Sequence, residues 1–160
     1  MKKCLIAYFS ATGTTAKAAE RLAEVIHGDL YEIEANPVYS NDDLNWNDKH
    51  SRSYREWKDK NSRPAIKTPV ADLEQYEVVF LGFPIWCEES PRIILSFLEN
   101  YDFSGKTIVP FSTSGGSVRG SDGKHLQKHT SKTTVWKKGK LIRGGCSVQE
   151  LSAWVDSLHL

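Results

Sequence analysis

The chain alternates between short apolar runs and helical stripes. Leu5 to Phe9 is an apolar run of strand length. Ala19, Leu22, Ala23 and Ile26 then recur at i, i+3, i+4 and i+7, which predicts a helix over 14–27 with Gly28 just past its end. Residues 29–34, DLYEIE, alternate polar and apolar like a half-buried strand. Residues 78–83, VVFLGF, are apolar throughout, as in a parallel strand covered on both faces. Ser90 as cap and Pro91 as first residue predict a second helix, which buries Ile94, Leu95 and Leu98. Residues 106–111, KTIVPF, predict another strand, with Pro110 placed where the ladder needs no donor. A weaker strand is expected within 133–143. Ser147 and Glu150 form a capping box for a last helix, whose stripe is Leu151, Trp154, Val155 and Leu158.

Strands alternating with helices call for an α/β fold, a parallel sheet with helices on both faces. No internal repeat or linker divides the chain, so residues 1–160 are expected to form one domain. Residues 35–68 break the pattern: they are polar, with Pro37, Pro64 and several Asn, Asp and Lys. Unstructured loops of this length are uncommon and often functional. Tyr39, Trp46, Tyr54 and Trp57 imply that part of the segment packs on the body, with a short helix around 50–60 and one aromatic free to cover a ligand.

Composition narrows the class. The chain of 160 residues is 39% hydrophobic and 11% aromatic, enough for a sizeable core. No apolar run approaches the roughly 18 residues of a membrane span. The start, MKKCLIAYFSATG, resembles a signal peptide only briefly. Its apolar part is short, and an amphipathic helix stands where a cleavage site would be, so a cytoplasmic location is expected. Three widely spaced cysteines fit reduced thiols better than a disulfide framework. Cys4, Cys87 and Cys146 offer no pairing for a metal, and His125 and His129 are read as surface histidines.

The chemistry concentrates in three segments that follow strands, which in a parallel sheet gather at the carboxyl edge. They are SATGTT (10–15), PIWCEES (84–90) and STSGGS (112–117). One hydroxyl suffices to cap a helix. Ser10, Thr12, Thr14 and Thr15 around Gly13 therefore point to a ligand rich in acceptors. The segment matches neither the Gly-x-x-x-x-Gly-Lys-Ser/Thr loop nor the Gly-x-Gly-x-x-Gly turn. A turn without Lys or Arg at a helix N-terminus suits one terminal phosphate that is held in place rather than transferred.

Ser10-x-Thr12-Gly13-Thr14-Thr15 after a first strand resembles the phosphate loop of the flavodoxin family. Pro84-Ile85-Trp86 and Ser112-Thr113-Ser114-Gly115-Gly116 resemble its two flavin-ring loops, and the resemblance runs from about residue 3 to 158. It implies a flavodoxin-like doubly wound sheet of five parallel strands in the order 2-1-3-4-5, with FMN at the switch point. Ser10, Thr12, Gly13, Thr14 and Thr15 would bind the phosphate, and Thr12 and Thr14 are expected to act mainly through it. Pro84, Ile85 and Trp86 would line the isoalloxazine, with Trp86 stacking on it and Cys87 next in the loop. Ser112 to Gly116 would follow the pyrimidine edge. The resemblance also implies that a peptide beside the ring reorients on reduction. Cys87, Glu88 and Glu89 supply no glycine to ease that turn.

Charge separates this chain from the acidic electron shuttles of that family, since its net charge is +1. Residues 119–143 hold eight Lys and Arg against Asp122 alone, a net +7. A solvated face explains this most simply; docking of an acidic partner or of a nicotinamide nucleotide's phosphates is the sharper reading. Trp136 is the stretch's one aromatic and no nucleic-acid motif is present, so neither nucleic acid nor membrane is expected as a partner. The expected function is electron transfer by an FMN protein. The alternatives are an FMN-dependent NAD(P)H:quinone-type reductase and a cofactor-free binding module.

Overall fold

The computed structural model describes residues 2–160. Its strands are β1 (Cys4–Tyr8), β2 (Asp29–Glu32), β3 (Val78–Pro84), β4 (Thr107–Thr113), β5 (Val135–Trp136) and β6 (Lys140–Ile142). All pair in parallel, in the order β2-β1-β3-β4-β5, with β6 also on β4. The expected weak strand is therefore two short pieces beside one neighbour.

Pro110 explains the break. Val135 N donates to Lys106 O and Lys137 N to Ile108 O, so the even-numbered residues of β4 turn their backbone toward the fifth-strand position. Pro110 is the next in that row and has no N–H to offer. Pairing resumes at Phe111↔Lys140. The missing donor thus falls on the edge pairing and leaves the β3–β4 ladder unbroken from Val78↔Thr107 to Pro84↔Thr113.

The helices are α1 (Thr14–Ile26), α2 (Arg52–Lys58), α3 (Arg92–Asn100) and α4 (Val148–Ser157). Strand alternation sends Leu5, Ala7, Val79, Leu81, Phe83 and Ile108 to one face, packed with Ile93, Ile94 and Phe97 of α3. Ile6, Tyr8, Val78, Phe80, Val109 and Phe111 face the other way, onto Ala18, Ala19 and Leu22 of α1 and Leu151 of α4. Burying a side chain such as Leu22, 1% exposed, contributes about 1.5–3 kcal/mol.

Two helix ends differ from expectation. His27, not Gly28, takes the left-handed position after α1, at φ 52° with its N–H on Ala23 O. Gly28 is instead pressed on β1, where a Cβ would sit 3.1 Å from Cys4 O. Ser90 does not cap α3; Pro91 stands at the cap position. Ser147 accepts from Glu150 N as expected.

Residues 35–68 contain α2 and a 3-10 turn at Asp42–Leu44. An antiparallel bridge, Ala35↔Ile66, closes the excursion. Arg52 pairs with Glu56 at 2.8 Å and lies 3.9 Å from the Tyr39 ring centroid, while the Tyr39 hydroxyl donates to Glu56. These contacts fasten Tyr39 to α2, and its ring meets the body at Phe9, edge-to-face at 5.6 Å between centroids.

Candidate functional site at the carboxyl edge

Between β1 and α1 the chain turns through Gly13 at φ 94°, a conformation open to glycine at little cost. Ser10 Oγ accepts from Gly13 N and Ala16 N, both at 3.1 Å, which curls the turn around its own hydroxyl. Thr15, 1% exposed, shares a hydrogen bond with Thr113 Oγ1 at 2.8 Å. Two of the four hydroxyls thus serve the structure. Thr12 and Thr14 are exposed, and neither their hydroxyls nor the backbone N–H groups of Thr12, Thr14 and Thr15 find a partner among the described residues. No acidic residue lies in the first turn of α1, so no side chain there opposes an anion at these donors.

Thr113 joins the three expected segments. Its side chain bonds Thr15, its carbonyl accepts from Ile85 N at 3.0 Å, and it ends β4 where the third segment begins. Beside it, Ser112 Oγ is buried with no hydrogen-bond partner among the described residues. An orphan buried hydroxyl is uncommon and costs free energy unless something satisfies it. At the tip, Ser114 Oγ accepts from Gly116 N and Arg143 Nη2 donates to Gly116 O at 2.7 Å. A Cβ added at Gly115 or Gly116 would touch nothing, so the chain's own packing does not demand glycine there.

In the middle segment Pro84 closes β3, and Trp86 is half-buried among Phe9, Tyr39 and Trp46, all edge-to-face at 5.5–5.7 Å between centroids. Such pairs add about 0.5–1.5 kcal/mol each beyond burial. Tyr39 and Trp46 are two of the four aromatics of the excursion expected to pack on the body. That they would enclose Trp86 could not be read from the sequence, because no period marks an aromatic that packs from a loop.

Trp86 N donates to Glu89 O at 2.8 Å and Glu89 N to Trp86 O at 3.1 Å, closing a two-residue turn over Cys87 and Glu88. Both central residues have positive φ, 47° and 67°, the signature of a type I′ turn, which favours Gly, Asn and Asp. Gly120 presses on that turn, since a Cβ there would lie 2.2 Å from Glu88 O. Arg119 pairs with Glu88 at 3.1 Å and Arg92 with Glu89 at 2.9 Å. His125 Nε2 lies 3.2 Å from Ser90 N and 3.0 Å from Ser90 Oγ. His125 and His129 are therefore half-buried and hydrogen-bonded, the latter to Glu99, and not freely exposed as expected.

Burial, then Glu88 and Glu89, push the exposed Cys87 thiol up from its ordinary pKa, which favours the unreactive protonated form. Of the eight cations in 119–143, only Arg119 and Lys124 form ion pairs among the described residues. A cavity of about 280 Å³ beside the first turn is lined by Thr14, Lys17, Arg21 and Gly144 among others. No group of three or more His, Cys, Asp or Glu among the described residues is placed to hold a metal, and no helix among them is long and apolar enough to cross a membrane.

The family profile of flavodoxin matches residues 3–158. Among solved structures, a chain from Bacteroides eggerthii designated a flavoprotein is 45% identical, with a TM-score of 0.94, covering 100% of this chain and 99% of that one. A flavoprotein from Lactobacillus acidophilus, solved in complex with FMN, is 22% identical with a TM-score of 0.71, and 100% of each chain is covered. Oxidised flavodoxin 2 from Bacillus cereus is 18% identical with a TM-score of 0.62, covering 98% and 97%. No curated protein matches the chain.

Proposed function

We propose that this chain, which belongs to the flavodoxin family, binds one FMN at the carboxyl edge of its sheet and carries electrons with it. The observation that carries the reading is the first turn. There, Thr12 and Thr14 keep free hydroxyls beside three free amide donors, at a helix end without acidic residues. A terminal phosphate needs donors of this kind and no catalytic base. Bound FMN would supply the redox chemistry, accepting electrons and passing them on.

The chain's own residues would bind and orient it. Ser10 and Gly13 shape the turn, and Thr15 fastens it to Thr113. Pro84, Ile85, Trp86 and Cys87 offer the wall for the ring. The unpartnered Ser112 hydroxyl and the open backbone of Ser114, Gly115 and Gly116 fit a planar group with polar edges. Trp86, already enclosed by three aromatics, is better suited to bracing that wall than to moving onto a ligand.

Titrating FMN with the purified protein while following flavin fluorescence tests the reading. Quenching to a one-to-one end point is expected; no quenching by a folded sample refutes it. The cations of 119–143 that form no ion pair among the described residues favour a second reading, reduction of the flavin by a nicotinamide nucleotide. Multiple turnovers of NADPH with a quinone by the protein alone would move the function from carrier to reductase.

A further inference from the structure

The turn at Trp86–Glu89 holds Cys87 and Glu88 in a conformation that costs each of them free energy, and such turns persist only where their surroundings over-determine them. Two contacts from the segment after β4 meet it, and a third meets the residue that follows it. The Arg119–Glu88 pair joins exposed groups and is worth little in water. Gly120 contributes close approach without a directional bond. His125 is the half-buried, hydrogen-bonding contact, and it grips Ser90, the residue after the turn.

Hydrogen-bond roles set the state of that ring. The Ser90 amide can only donate, so Nε2 must accept, and the imidazole is neutral with its proton on Nδ1. Protonation would set an N–H against an N–H. The bond to Ser90 Oγ could survive with roles reversed, but the amide of a residue only 5% exposed would lose its partner. The start of α3 two residues further on also disfavours a cation there.

We propose that His125 is a positioning residue for the flavin-ring loop: by accepting from Ser90 in its neutral form, it pins the Trp86–Glu89 turn in the shape that receives the ring. The proposal rests on the reading that this turn lines the flavin. Burial lowers the His125 pKa below the ordinary value of 6.5. Glu89 and Asp122 draw it back up, while Arg92 and His129 push it further down. Cys87, Glu88, Arg119 and Lys124 line the same cavity of about 380 Å³. The ring is therefore neutral at neutral pH, and on acidification it takes up its proton, and releases the turn, only at a pH lower than an ordinary histidine would need.

The test uses the whole chain as wild type, His125→Gln and His125→Ala. Glutamine places an acceptor near the Nε2 position and does not titrate. In amide NMR spectra of the wild type, Ser90, Cys87 and Glu88 should titrate together with the His125 ring, at a midpoint below 6.5; in His125→Gln they should not titrate. Riboflavin serves as the binding probe because it has no phosphate to protonate. Its affinity should be roughly two- to tenfold weaker in His125→Ala, the worth of one hydrogen bond. Wild type should approach that weaker value on acidification, while His125→Gln stays level. Turn signals that ignore the ring's titration, or a glutamine variant that keeps the wild-type pH profile, would overturn the proposal. Failure of flavin to bind at any pH would refute the proposed function instead, and the amide titration would still decide whether His125 holds the turn.

Discussion

Replacing Cys87 by glycine should stabilise the protein, and replacing it by alanine should not. Both variants remove the thiol, so lost contacts cancel between them and the difference reports the backbone alone. At φ 47°, an L-residue pays about 1–2 kcal/mol that glycine does not. Glycine in turn loses about 0.5–1 kcal/mol through its freer unfolded chain. At mid-range values the balance favours Cys87→Gly over Cys87→Ala by about 0.75 kcal/mol, or roughly 1.5–3 °C in Tm for a chain of this size. At an ordinary loop position the sign is opposite, which makes the comparison diagnostic. Glu88 is a poorer target, because its carboxylate also pairs with Arg119. Urea unfolding of the ligand-free protein, followed by tryptophan fluorescence, supplies the measurement. An alanine variant as stable as the glycine variant would refute the left-handed turn, and the argument for His125 with it.

Thr12→Val and Thr14→Val should each weaken FMN by about 1.5–3 kcal/mol, the worth of a hydrogen bond to a charged group, and hardly affect riboflavin. Equal weakening of both ligands, measured by fluorescence titration, would mean that the phosphate lies elsewhere. Anaerobic dithionite titration of the FMN-loaded protein should pass from yellow to colourless with little of the blue one-electron form. Turning over the 87–88 peptide would leave Cys87 in the φ > 0 position of a type II′ turn, a place suited to glycine; near-complete accumulation of the blue form contradicts that reasoning.

Periodic elements were legible because their signals are local. The stripe 19, 22, 23, 26 and the apolar run 78–83 each state one face or two, and β3 and α1 formed where those patterns lie. Ser90 shows where such rules stop. A serine before proline reads as a helix cap, but a histidine 35 residues away claims its hydroxyl and its amide. Trp86 is similar: its partners Tyr39 and Trp46 come from a polar excursion that carries no period.

The four hydroxyls of the first turn are the instructive case. Read as composition, Ser10, Thr12, Thr14 and Thr15 are equivalent. Read on the helix, they are not. Thr15, Ala18, Ala19 and Leu22 stand at i, i+3, i+4 and i+7, and these are the buried residues of α1. Extending the apolar stripe back by one turn assigns Thr15 to the body of the protein, where a buried hydroxyl needs a partner and finds Thr113. Thr12 precedes the helix and Thr14 lies off the stripe, so both hydroxyls stay outside. Ser10, ahead of the helix, spends its hydroxyl on the turn's own amides. The same period that packs α1 therefore sorts the three threonines, one sent inward to fasten the edge and two left facing whatever binds there.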